Sequence, residues 1–299
     1  MTFGNTNRPV ISPPAASLVC DTPCELITLE LADGYLGAAR VFEAADSRRA
    51  VVYLHGIQSH GGWFLQSCDF LRGRGMTVLA PDRRGSGLNR RARGHCDSPR
   101  QLIKDVNRGV DWLRRRTGFK QVDLVAVSWG GKLALAYAEE FSEKIRSVAL
   151  VAPGLCPKID IRLTAKIAIG VHGLLHPRQP HKIPLNEPTL FTQTPALLTF
   201  IENDPLKLTH ATASFFIASS RLDAKVRKVI GRLKVPVYLF LAGQDRIIEN
   251  QATIRLLGPV LQPRKEASDP AKIYRRAHHT LDFEPDPLPF FCDLADSLA

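Results

Sequence analysis

Ser128 stands where an apolar run, Val122 to Val127, meets the small residues Gly130 and Gly131 across Trp129. A strand that passes straight into a helix at a serine lifts the hydroxyl above the strand ends. The turn is tight, so the positions two before and two after the serine must be small. Ala126 and Gly130 fill them here. Trp129, the residue after the serine, can offer its backbone N–H to a reacting oxygen. A serine at such a junction can also serve as a plain helix cap, so its chemistry depends on partners elsewhere in the chain.

A serine hydroxyl becomes a nucleophile when a base takes its proton and a third group orients the base. The apolar run Val235 to Leu241 ends in Ala242-Gly243-Gln244-Asp245-Arg246, which puts Asp245 just past a strand end. Ligand chemistry in parallel sheets collects beyond that edge. Asp82, after the run Thr77 to Ala80, is a competing acid, but it precedes Ser128. With an elbow of this kind the order is serine, acid, base, which favours Asp245. Two adjacent histidines, His278 and His279, follow the run Lys272 to Arg276, and local sequence does not rank them. Attack by the serine creates an oxyanion that needs two fixed N–H donors. Trp129 supplies one, and the glycine-bearing loop His55-Gly56-Ile57-Gln58-Ser59-His60-Gly61-Gly62-Trp63 is placed to supply the other from Ile57. His95, His172, His176, His181 and His210 fall in loops or in an inserted segment and receive no role.

The elements that must carry these residues alternate. Glu25 to Leu31 and Tyr35 to Phe42 read as a hairpin around Ala32-Asp33-Gly34. Ala50 to Leu54, Thr77 to Ala80, Val122 to Val127, Val148 to Val151 and Val235 to Leu241 are short apolar runs suited to strands covered on both faces. Between them lie helical segments, the clearest opening at Ser98-Pro99 and stopping at Gly118. Others are expected over Gly131 to Phe141, Glu249 to Leu261 and Pro287 to Leu298. This alternation predicts an α/β fold with a mostly parallel central sheet. Gly154 to Lys234 breaks it. That interval shows no convincing strand, only helix-like pieces (Ile161 to Leu175, Pro195 to Ile201, Ala211 to Arg232) around a proline-rich stretch. An insertion of this length suggests a helical cap over the site. The expected organisation is therefore a loose arm over 1–19, a core over 20–153 and 235–299, and a cap over 154–234.

Composition is that of an ordinary globular chain: 44% hydrophobic and 23% charged residues in 299 exclude collagen-like and disordered classes. No apolar run approaches the roughly 18 residues of a membrane helix, and prolines 9, 13 and 14 break any secretory signal. The six cysteines lack metal-site spacing and read as free thiols of a reducing, cytoplasmic compartment. The net charge of +11 is spread over short arginine clusters without interleaved aromatics, which argues against nucleic acid and leaves room for weak attraction to anionic membranes.

Taken together, the motifs resemble those of the α/β-hydrolase superfamily of serine hydrolases, nearest its monoacylglycerol lipase and lysophospholipase-like branch. His55, Gly56 and His60 are similar to that branch's H-G-x-x-x-H oxyanion loop. Asp82-Arg83-Arg84-Gly85-Ser86-Gly87 resembles its D-x-R-G-x-G turn, and Asp204-Pro205-Leu206 its D-P-L. His279 to Glu284 resembles its H-x-L-x-x-E ending, which selects His279 over His278. Ala126 and the uncharged pair Gln58-Ser59 depart from common versions. The resemblance implies that Ser128, Asp245 and His279 form the catalytic set, with Ile57 and Trp129 as oxyanion hole. It implies hydrolysis of carboxylic esters, monoacyl lipid or medium-chain, without metal or organic cofactor. Phe215 and Phe216 are the grouped aromatics expected to touch substrate. Thioesterase, acyltransferase and carbon–carbon bond hydrolase chemistry would use the same three side chains.

Overall fold

The computed structural model describes residues 24–262 and 271–299. The expected arm over 1–19 and Cys20 lie outside these residues.

Eight strands form one sheet: β1 (Glu25–Glu30), β2 (Leu36–Phe42), β3 (Arg49–Leu54), β4 (Met76–Pro81), β5 (Val122–Val127), β6 (Ile145–Val151), β9 (Val237–Ala242) and β10 (Ala271–Tyr274), in the order β1-β2-β4-β3-β5-β6-β9-β10. β1 with β2 and β2 with β4 run antiparallel, and every later pair is parallel. Every residue of β5 is buried, so both faces of the sheet are covered at its centre. This is why its six residues are nearly all apolar rather than alternating.

The helices α1 (Leu65–Gly73), α2 (Pro99–Thr117), α3 (Gly130–Glu140), α7 (Asn250–Leu257) and α8 (Leu288–Leu298) pack around the sheet. The ends of α2 follow from its sequence. The Ser98 hydroxyl accepts from the Gln101 N–H at 3.2 Å, Pro99 takes the first turn, and Gly118 closes the helix at φ +77°. Between β6 and β9 the chain adds α4 (Leu163–Leu175), α5 (Pro195–Asn203) and α6 (Ala213–Val229).

Three features differ from the sequence expectation. α1 was not anticipated, because its nine residues follow a glycine-rich turn and its buried positions (Leu65, Ser67, Cys68, Leu71) mix apolar with polar types. The interval between β6 and β9 does contain strands: β7 (Pro180–Lys182) pairs antiparallel with β8 (His210–Thr212). Three residues are too few to show an alternating pattern. β8 also takes the start of the helix expected from Ala211, so α6 opens at Ala213, with the Thr212 hydroxyl accepting from the Phe215 N–H.

Candidate active site

The parallel register sets the site. β3, β5, β9 and β10 end at one edge of the sheet, with Leu54 beside Ala126 and Val127 beside Val151. Ser128 follows β5 directly at φ +52°, a left-handed conformation that a non-glycine residue holds only when its surroundings enforce it. Its carbonyl accepts from Gly131 N–H at 2.9 Å and from Gly154 N–H at 2.7 Å, which pins the elbow from two sides. A Cβ on Gly130 would lie 2.8 Å from the carbonyl oxygens of Leu54 and His55, so only glycine fits there. On the other side of the serine, the Ala126 methyl is accommodated and fully buried.

Around that hydroxyl the structure brings together three residues far apart in sequence. His279 Nε2 lies 3.0 Å from Ser128 Oγ, and His279 Nδ1 lies 2.8 Å from Asp245 Oδ2. The other Asp245 oxygen accepts from the backbone N–H of Ile247 and Ile248 at 2.7 and 2.9 Å. Burial opposes the Asp245 charge, but the adjacent imidazole and these N–H groups outweigh it and hold the carboxyl below its ordinary range. A charged Asp245 requires the proton on His279 Nδ1, which leaves Nε2 as an acceptor for the serine O–H. His278 stands apart. It is held by Glu284, which accepts from its backbone N–H at 2.7 Å.

Asp82, the competing acid, serves the loops instead. Its Oδ1 accepts from Arg40 Nη1 at 3.0 Å and from Gly61 N–H at 2.7 Å, and its Oδ2 from Leu88 N–H at 2.8 Å. It thereby joins β2 to the loop after β3 and to its own turn.

The loop after β3 is fixed by buried polar groups whose roles are not evident from sequence. Arg83 N–H donates to His55 Nε2 at 2.8 Å, so the ring proton is on Nδ1, which donates to the Gly56 carbonyl. Burial and the Arg83 charge drive His55 down to about 3 and keep it neutral. The Arg83 guanidinium donates to the carbonyls of Gly56 and Ile57, both at 2.9 Å, and lies 4.7 Å over the Trp129 ring. Burial lowers it to about 10, so it stays cationic at neutral pH. Ile57, half-buried, lines the cavity at Ser128. Trp129 precedes the first turn of α3, so its N–H has no acceptor within that helix.

The same cavity is walled by Trp63, Phe64, Leu185 and Phe191, with Gln58 among them. Phe215 and Phe216, expected to touch substrate, do not line it. Phe215 is buried and stacks on the Trp129 ring at 5.1 Å, while Phe216 sits edge-on to His181. Their helical spacing alone could not distinguish packing between α6 and the elbow from contact with a ligand. Leu185 and Phe191 come from the proline-rich stretch, where no periodicity marks them. Among the described residues no cluster of three or more His, Cys, Asp or Glu could hold a metal ion.

The sheet order, the strained serine between β5 and α3, and the acid and histidine beyond β9 and β10 define an α/β-hydrolase. The family model of the serine aminopeptidases, S33, matches residues 45–286, and the chain belongs to that family, in its monoacylglycerol lipase and lysophospholipase branch. It is 23% identical to human monoglyceride lipase over 257 residues, 85% of this chain and 82% of that protein. It is 22% identical to phospholipase YtpA of Bacillus subtilis (strain 168) over 218 residues, 72% of this chain and 83% of that one. The structure of a soluble variant of monoglyceride lipase from Saccharomyces cerevisiae superposes with a TM-score of 0.80 at 19% identity, covering 96% of this chain and 98% of the other.

Proposed function

We propose that this protein is a serine hydrolase that cleaves carboxylic esters of monoacyl lipids or medium-chain acids through an acyl-enzyme. The observation that carries the proposal is the relay from Ser128 Oγ through His279 to Asp245, with steps of 3.0 and 2.8 Å. His279 Nε2 takes the serine proton as Oγ attacks the ester carbonyl. Asp245 stabilises the imidazolium that forms. The N–H groups of Ile57 and Trp129 receive the oxyanion, with the Arg83 guanidinium fixing the carbonyl of Ile57 and the ring of Trp129. His279 then protonates the departing alkoxide, and water, deprotonated by the same nitrogen, releases the acid. A charged Asp245 beside the imidazole suits this cycle without a metal or organic cofactor.

In this reading residues 154–234 form a cap. Support comes from Asp204, which accepts from His60 Nε2 at 3.1 Å and Trp63 Nε1 at 2.8 Å, and from Leu185 and Phe191 in the cavity wall. The cap also carries the surface suited to lipid. Leu163, Ile167, Val171, Leu174 and Leu175 recur along one face of α4, and Leu174 is 87% exposed. With a net charge of +11, that face suits weak contact with an anionic bilayer, where an acyl ester would be met. Among the described residues no helix is long and apolar enough to cross a membrane. The five described cysteines are free thiols, which supports a cytoplasmic location.

The test is turnover of an ester series of rising acyl length by the wild type and Ser128→Ala. The proposal expects a preference for medium or long acyl groups and loss of turnover in the variant. A preference for acetyl esters would remove the lipid substrate, and undiminished turnover by Ser128→Ala would remove the mechanism.

A further inference from the structure

Gln58, only 1% exposed, is one of the residues lining the cavity at Ser128 and His279, and both polar atoms of its carboxamide are buried. Neither its Oε1 nor its Nε2 has a hydrogen-bond partner among the described residues. Polar groups so enclosed are nearly always paired. Several of the polar groups around it are already engaged. The Gly56 N–H already donates to the Ser59 hydroxyl, and the Gly56 and Ile57 carbonyls are occupied by Arg83. The Trp63 indole N–H is committed to Asp204. Phe64, Leu185 and Phe191, on the other walls, have nothing polar to offer from their side chains. The Gln58 backbone is itself held in place, because its carbonyl accepts from Leu208 N–H at 2.9 Å.

We propose that Gln58 is a specificity-determining residue whose carboxamide binds a free hydroxyl carried by the ester, a few bonds from the scissile carbonyl. The inference rests on the serine-hydrolase reading and adds to it. A hydroxyl is the smallest group that both donates and accepts, so it can satisfy Oε1 and Nε2 where an alkyl chain satisfies neither. The hydroxyl can belong to the alcohol portion or to the acyl portion, and the chemistry at Gln58 is the same for both. An ester without it fills the cavity while leaving the amide orphaned, and a site of this kind discriminates strongly against the analogue that lacks the group.

The experiment compares kcat/KM for two matched pairs with the purified protein. One pair is the 2,3-dihydroxypropyl and propyl esters of the same fatty acid. The other is the propyl esters of a 3-hydroxy fatty acid and of its parent acid. The proposal expects the hydroxylated member of one pair to lead by about tenfold or more in the wild type, and the pair that shows this identifies the portion bearing the hydroxyl. In Gln58→Met, which keeps the length but loses both polar atoms, that ratio falls to about one. Gln58→Leu reads the same ratio should the methionine variant not fold. Wild-type ratios near one in both pairs, as expected if a water simply fills the space, overturn the proposal. So does a ratio that survives in the variants, or an equal loss on all four esters, which would make Gln58 an oxyanion donor or a structural prop. Turnover that persists undiminished in Ser128→Ala is a different result and would strike at the hydrolase reading itself.

Discussion

The Asp204 carboxylate accepts a 2.8 Å hydrogen bond from the indole N–H of Trp63, and so ties the segment between β6 and β9 to the loop that carries Ile57. The same oxygen accepts from His60 Nε2 at 3.1 Å. Burial works against the Asp204 charge, but the contacts from His60 and Trp63 prevail and hold the carboxyl below its ordinary range. Asp204→Ala strands two buried donors. It should lower stability by about 3 kcal/mol, the scale of breaking a buried pair from one side. Chemical denaturation measures that loss, and a change under about 1 kcal/mol would show that the link carries no load.

Arg83 should govern the rate through the loop it grips. A lysine at this position is a single point donor and cannot span the carbonyls of Gly56 and Ile57 as the guanidinium does. Displacing a catalytic loop by about 1 Å costs up to about 100-fold in rate. Arg83→Lys should therefore lower kcat by about 10- to 100-fold with a smaller change in KM. Steady-state kinetics on one ester decides this, and an unaltered kcat would free the oxyanion loop from Arg83.

Much of the site was legible in sequence because its parts sit at strand ends. Ser128 and Asp245 follow apolar runs and His279 follows β10, all at the edge where the parallel strands end, and the structure places His279 between the other two, 3.0 Å from Ser128 and 2.8 Å from Asp245. Long, fully buried strands such as β5 announce themselves. What stayed hidden depends on contacts between distant segments. Gln58 read only as an uncharged oddity, since a missing partner is a property of the folded cavity. Arg83 occupies the variable position of the turn that resembles D-x-R-G-x-G, and Leu185 and Phe191 fall in or beside the proline-rich stretch, where no period marks them. Phe215 illustrates the opposite error, an aromatic that suggested a ligand and in fact stacks on Trp129. β7 and β8 pair across 30 residues, and three-residue strands carry no period of their own.

Asp282 gives the protein a pH-dependent weakness. Burial raises its carboxyl to about 7, offset only in part by the neighbouring Ser67 hydroxyl. In the unfolded chain an aspartate titrates near 4. Between about pH 4 and 7 the folded state therefore holds a proton that the unfolded state has lost, and stability falls as pH rises through that window. Above about pH 7 the loss is complete. Asp282→Asn cannot ionise, so its Tm should exceed the wild-type value most at pH 8 and converge with it toward pH 4. Thermal melts across that range check the trend, and a constant difference would contradict it.

The exposed face of α4 should bind lipid surfaces. Leu163 and Leu174, 73% and 87% exposed, lie on the same side of the helix. Replacing both with glutamate should cut co-sedimentation with anionic phosphatidylglycerol vesicles several-fold. It should spare hydrolysis of a soluble short-chain ester. Raising the salt concentration should weaken wild-type binding as well, since part of the attraction comes from the basic surface. Equal sedimentation of variant and wild type would dissociate α4 from the membrane.

The most direct measurement of the mechanism is covalent labelling by a fluorophosphonate, with the modified residue located by mass spectrometry in the wild type and in His279→Ala. The Ser128–His279–Asp245 relay predicts a single adduct on Ser128 and a labelling rate about 1,000-fold lower without the imidazole. An adduct on any other residue, or an undiminished rate in His279→Ala, would contradict it.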